Sequence, residues 1–142
     1  MNTTTHQLSN TIMQPPTDAE VFDSKTGISW FDKDGILYSI SQKVPALSME
    51  ETIQITEEFK KMLNGKKVCM LVDVTNSSES NKEARDYAAV ELPKLVKAVA
   101  MVSKSAVGKV LANIFFKIKE QPYPVKMFNT VEEARQWLIQ YL

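Results

Sequence analysis

Apolar and polar positions alternate along this chain in blocks whose period changes, and each change marks an element. Ile28-Ser29-Trp30-Phe31 and Ile36-Leu37-Tyr38-Ser39-Ile40 flank Asp34-Gly35, the favoured turn chemistry of a tight hairpin. Ile36, Tyr38 and Ile40 are expected to share one face. Ser48-Met49-Glu50-Glu51 has the spacing of a capping box, in which hydroxyl and carboxylate satisfy free amides at a helix start. Ile55, Phe59, Met62 and Leu63 then recur at helical spacing as far as Asn64-Gly65, a stop signal. Val68-Cys69-Met70-Leu71-Val72 is a continuous apolar run too short for a helix, as expected of a parallel central strand covered on both faces.

The same alternation continues to the end. A helix is predicted over residues 81–92, a strand over 98–102, a helix over 105–119, a strand over 125–128 and a last helix from Val131, where Thr130 and Glu133 form a second capping-box pattern. Strands alternating with helices imply right-handed crossovers and a sheet with about four helices packed on it. The expected fold is therefore α/β, a mixed sheet with an N-terminal antiparallel hairpin followed by parallel strands. Residues 1–18, polar and carrying Pro15-Pro16, are expected to be a flexible tail ahead of one domain over 19–142. The segment around residues 19–22 is either a first edge strand or part of that tail.

Composition narrows the function classes. A length of 142 residues suits one domain. With one Cys and one His, a His/Cys zinc site cannot be assembled and an internal disulfide is excluded. Cys69, inside an apolar run, is expected to be a buried small hydrophobe. No apolar run is long enough for a membrane span, and the first residues lack signal-peptide character, so a cytoplasmic setting without an integral membrane segment is expected. The only His, His6, lies in the tail, which leaves no base beside a Ser or Cys nucleophile. No enzyme activity, cofactor or metal is expected.

Two loops follow the carboxyl ends of predicted parallel strands, where ligands usually sit in open α/β sheets. The richer one reads Asp73-Val74-Thr75-Asn76-Ser77-Ser78-Glu79-Ser80-Asn81. Asp73, Thr75, Asn76, Ser77, Ser78 and Ser80 are candidates for a phosphoacceptor or ligand loop, because a helix N-terminus favours an anion. Alternatively, Ser80 or Asn81 simply caps the helix and the others solvate a turn. The second, Ser103-Lys104-Ser105-Ala106-Val107-Gly108-Lys109, lacks the first Gly and the final Ser or Thr of a phosphate-binding loop.

Charge adds one feature. The 17 basic and 17 acidic residues cancel, but residues 94–126 carry seven lysines against Glu120, a surplus balanced by acidic flanks. Such polarity suits a steered protein partner or an anionic ligand. Nucleic acid is not expected, because Arg is scarce and no aromatic-studded strand accompanies the lysines. In the helix at 105–119, Val107, Val110, Leu111, Ile114, Phe115 and Ile118 form the expected core stripe. Ala112 and Phe116 are then expected outside, and with Lys104 and Lys109 they make a candidate interaction surface for a homodimer or an apolar ligand.

The order of elements resembles the STAS domain of the SpoIIAA-like class, and more closely a divergent SpoIIAA-like branch of uncharacterised bacterial proteins. The resemblance covers about residues 28–142. It rests most on Lys97-Ala98-Val99-Ala100-Met101-Val102, Ala112-Asn113-Ile114-Phe115-Phe116, and Pro122-Tyr123-Pro124-Val125-Lys126-Met127-Phe128 with Glu132-Glu133-Ala134-Arg135-Gln136-Trp137-Leu138. It implies a non-enzymatic regulatory domain that binds a protein partner, switched by phosphorylation in an Asp-Ser-Ser-Gly motif. Here that region reads Asn76-Ser77-Ser78-Glu79-Ser80, without the Asp or the Gly. The alternative implied by the same resemblance is a small-molecule or lipid carrier of Sec14-like type, with Phe115 and Phe116 on its groove.

Overall fold

In the computed structural model, which describes residues 10–116 and 121–142, six strands form one sheet in chain order. β1 (Phe22–Ser24), β2 (Gly27–Phe31) and β3 (Leu37–Ser41) each run antiparallel to the next, and β4 (Val68–Asp73), β5 (Val96–Val102) and β6 (Val125–Phe128) run parallel to β3. Helices α1 (Met49–Leu63), α2 (Lys82–Glu91) and α3 (Ala106–Phe116) join successive parallel strands, and α4 (Val131–Ile139) follows β6. This is the expected mixed α/β architecture, with residues 19–22 leading into an edge strand. Residues 117–120, the expected end of the helix at 105–119 and the place of Ile118, lie outside the described residues. So do residues 1–9 of the expected tail.

Each parallel crossover steps one strand in the same direction, so a common handedness puts α1, α2 and α3 on one face and leaves the other to α4. The cores follow. On the α4 face, Ile28, Trp30, Ile36, Ile40, Cys69, Leu71, Ala98 and Ala100 pack with Ala134 and Leu138. On the opposite face, Leu37, Val68, Val72, Val99 and Met101 meet Leu63, Ala112 and Phe116. Cys69 is buried as expected, and that burial pushes its thiol pKa above the usual range.

Local chemistry explains the element ends. Ser48 and Glu51 form the reciprocal capping box, and Asn64 stops α1 in the left-handed conformation, with φ 52°. Asn81, rather than Ser80, caps α2: its side-chain oxygen accepts from the Ala84 amide at 2.8 Å and its NH2 donates to the Leu47 carbonyl at 3.0 Å. At α4 the cap is formed but the box is not. The Thr130 hydroxyl accepts from the Glu133 amide at 3.1 Å and donates to the Glu133 carboxylate at 3.2 Å, so that carboxylate is held by the hydroxyl.

The hairpin is wider than Asp34-Gly35 alone suggests. Its loop spans residues 32–36 because Asp32 organises it: the carboxylate accepts the amides of Asp34 at 2.8 Å and Ile36 at 3.0 Å. Arg135 of α4 ties down the same loop, donating to Asp32 at 3.1 Å, to Asp34 and to the Tyr38 hydroxyl at 3.1 Å. Ile36, Tyr38 and Ile40 all face the α4 core.

Two expectations are corrected. The tail is not free throughout residues 1–18, because Thr11 and Met13 are buried, and Met13 belongs to the α4-side core. An apolar anchor and a buried acceptor, Asp73, outweigh the polar composition around them. The orientation of α3 is also reversed from the one expected. Ala112 and Phe116 are buried, 2% and 9% exposed, whereas Val107, Val110 and Ile114 are 61%, 56% and 47% exposed. The inward stripe is Gly108-Ala112-Phe116, every fourth residue, because the helix start lies against the carbonyls of Val74 and Thr75. Only a residue without a side chain fits there, and that contact sets the rotation of the whole helix.

Candidate functional site

The sheet surface beneath α1, α2 and α3 is incompletely covered. Side chains of β4 alternate, so Val68, Met70 and Val72 point to this face and Cys69 and Leu71 to the other. Val72 is buried, but Met70, in the middle of a central strand, is only half-buried. None of the three helices lies close against the strands as α4 does on the other face; α1 packs on α2, and α2 on α3. The gap is a cavity of about 610 Å³, within the roughly 300–1,000 Å³ usual for small-molecule pockets.

Its lining is polarised. Across the sheet, Leu37, Met70 and Val99 are register partners, and Phe22, Ser29, Ser39, Val72 and Met101 form the next row towards the carboxyl ends of the parallel strands. Beyond them lies Ser41, beside Gly27. Ser29, Ser39 and Ser41 therefore form a polar corner, joined by Gln42, Ser77 and Ser78 from the loops at that edge. At the other end are Phe59, Met62, Met70, Phe115 and Phe116. Glu91 is in the wall, with its charge matched by Lys60 at 2.6 Å and Lys94 at 3.1 Å. Those two ammonium groups hold its carboxyl below the usual carboxylate range.

The predicted loop is split by the sheet. Ser77, Ser78 and Ser80 line the cavity, whereas Asp73 and Thr75 point into the fold and are buried. The Asp73 carboxylate accepts from the amides of Ile12 at 2.5 Å, Met13 at 3.0 Å and Thr75 at 3.1 Å, and from the Thr75 hydroxyl at 2.6 Å. It is a clamp on the N-terminal segment. Asn76 is half-buried and is not part of the cavity wall. On the expected interaction surface, Lys104 is exposed and Lys109 half-buried, and Ala112 and Phe116 belong to the cavity instead. Lys117 and Lys119 of the basic stretch lie outside the described residues. Sequence reading missed Met70, Ser29, Ser39 and Gln42. The serines alternating with apolar residues in β2 and β3 are the signal that could have found the polar corner.

Ser78 also fastens the rim of the cavity. Its hydroxyl accepts from the Val44 amide at 2.7 Å and donates to the Gln42 carbonyl at 3.2 Å, joining the strap after β3 to the loop after β4. Ser78→Glu is therefore expected to lower stability by about 1–2 kcal/mol, since two half-buried backbone groups lose their partner. A chemical denaturation midpoint equal to that of the unaltered protein would contradict this.

A family model, Domain of unknown function (DUF7793), matches residues 29–142. The chain belongs to this family. The match begins within β2, so it takes in β3 to β6, the four helices and most of the cavity wall. Among solved structures, the chain is similar to the crystal structure of an uncharacterized protein from the DUF3478 family with a SpoIIAA-like fold, from Shewanella loihica PV-4. Identity is 19%, with a TM-score of 0.48, over 89% of this chain and 98% of that one. No curated protein matches the sequence. Among the described residues, no helix is long and apolar enough to cross a membrane.

Proposed function

We propose that this domain is a non-enzymatic binding module whose cavity holds an apolar or amphipathic small molecule, the carrier-type alternative drawn from the sequence. The observation that carries it is the half-buried Met70 on a central strand, with about 610 Å³ of space above it. A core strand leaves such space unfilled at a cost, because lining atoms forfeit contacts. The neutral dye Nile red should bind saturably at one per chain. Met70→Trp, which fills the space from the sheet side, should abolish that uptake while leaving the thermal midpoint unchanged or higher. Binding that persists undiminished in Met70→Trp, or no binding to the unaltered protein, would overturn the reading.

A second reading, docking of a protein partner or a second copy, is favoured by the outward row Val107, Val110 and Ile114 beside exposed Lys104. Phosphorylation could bias it through Ser80, because Arg85 already donates to the Ser80 carbonyl at 2.5 Å and would meet a phosphate there. Self-association through this row predicts a light-scattering mass of twice 16.1 kDa, returned to the monomer by Val110→Glu. A monomer at every concentration would remove the homodimer.

A further inference from the structure

We infer that the cavity selects an uncharged amphiphile, a single apolar tail carrying a hydroxyl or amide head, and discriminates against carboxylates and phosphates. This rests on the cavity being a ligand site and adds the chemistry of the ligand.

The first observation is the charge of the wall. Among the described lining residues there is no Lys, Arg or His, and the four charged ones are Asp23, Glu58, Glu79 and Glu91. Asp23, Glu58 and Glu79 are exposed at the rim. Glu91 is buried, and its charge is already matched by Lys60 and Lys94. An anionic head entering this space would lose its hydration without gaining a cation, which is among the most expensive transfers in protein chemistry. A cationic head gains little, because the rim acids are exposed and screened by salt.

The second observation is the unspent hydrogen-bonding capacity of the corner. The Gln42 side-chain oxygen is buried and has no hydrogen-bond partner among the described residues, yet Gln42 lines the cavity. Buried amide oxygens are nearly always paired, so this one is an acceptor suited to a ligand hydroxyl or N–H. Ser29, Ser39 and Ser41 line the same cavity with neutral groups that both donate and accept. The third observation is sidedness. With the head in this corner, the tail lies over Met70 towards Phe59, Met62 and Phe115, the half-buried apolar side chains whose exposure a ligand would remove.

The test is displacement of Nile red from the full chain at pH 8 by three probes with the same lauryl tail: monolaurin, laurate and dodecylamine. Monolaurin should bind at least about tenfold more tightly than either charged probe. Gln42→Leu should weaken monolaurin about tenfold and leave the thermal midpoint unchanged or raised, since its oxygen has no partner to lose. Laurate or dodecylamine binding as tightly as monolaurin would overturn the head assignment while the cavity reading stands. An unchanged monolaurin affinity in Gln42→Leu would do the same. If neither Nile red nor any lauryl probe binds, the cavity reading falls and this inference with it.

Discussion

Replacing Asp73 with Ala should cost about 3–4 kcal/mol, a large share of the roughly 5–15 kcal/mol that holds a domain of this kind together. The residue is fully buried, and its carboxylate is the common acceptor for the Ile12 and Met13 amides and for the amide and hydroxyl of Thr75. Without it, four donors are unpaired, each costing about 1–3 kcal/mol if it stays buried. The total is held below their sum because the N-terminal segment can peel away and rehydrate. That release takes Met13 out of the α4-side core. The Thr75 hydroxyl, which accepts from the Lys104 amide at 3.0 Å, loses its orientation at the same time. The expected result is a fall in thermal midpoint on the order of 10 °C, with faster hydrogen exchange at Ile12 and Met13. Asp73→Asn should recover only part of the loss, because its NH2 group meets donors. Normal exchange at Ile12 in the Ala variant would show that Asp73 is not the clamp.

Gly108→Ala should destabilise by about 2–3 kcal/mol, even though Ala is the better helix former by about 1 kcal/mol. A Cβ at this position would lie 2.3 Å from the Val74 carbonyl oxygen and 2.8 Å from that of Thr75. Neither carbonyl can retreat cheaply: the Val74 amide donates to Val102 at 2.8 Å and the Thr75 amide to Asp73. The helix must move instead, carrying Leu111, Ala112, Phe115 and Phe116 away from the cavity they line. The variant should therefore lose Nile red affinity along with stability. Val107→Ala, one residue away on the exposed face, should change stability by less than about 0.5 kcal/mol and serves as the control. Equal effects from the two substitutions would refute the close packing of α3 on the β4 loop.

These two sites also show where the sequence was legible. Asp73 reads in the sequence as the first residue of the loop after a central strand, but the Ile12 and Met13 amides that it holds are about sixty residues away, and a clamp on a distant amide leaves no local pattern. Gly108 reads in the sequence as part of an incomplete phosphate-binding loop. Counting apolar side chains around α3 gave Val107, Val110 and Ile114 the core, because a glycine that packs by having no side chain contributes nothing to an apolar stripe. The cavity was legible only in outline, as Phe115 and Phe116 on a groove. Its serine corner is assembled from β2, β3 and two loops, and alternation in each strand reads equally well as a solvated face.

What the sequence by itself determined is whatever depends on neighbours within a few residues. The period of apolar positions, the capping box at Ser48, the left-handed stop at Asn64 and the apolar run of β4 specify the elements and their order, and the order implies the layers. What only the tertiary structure decided is which side of each element is spent on packing. The rotation of α3, the burial of Asp73 and the gap between the three helices and the sheet depend on how closely backbones from distant segments approach. Close approach is a property of excluded volume and of buried donors seeking acceptors, neither of which is written in any single stretch of chain.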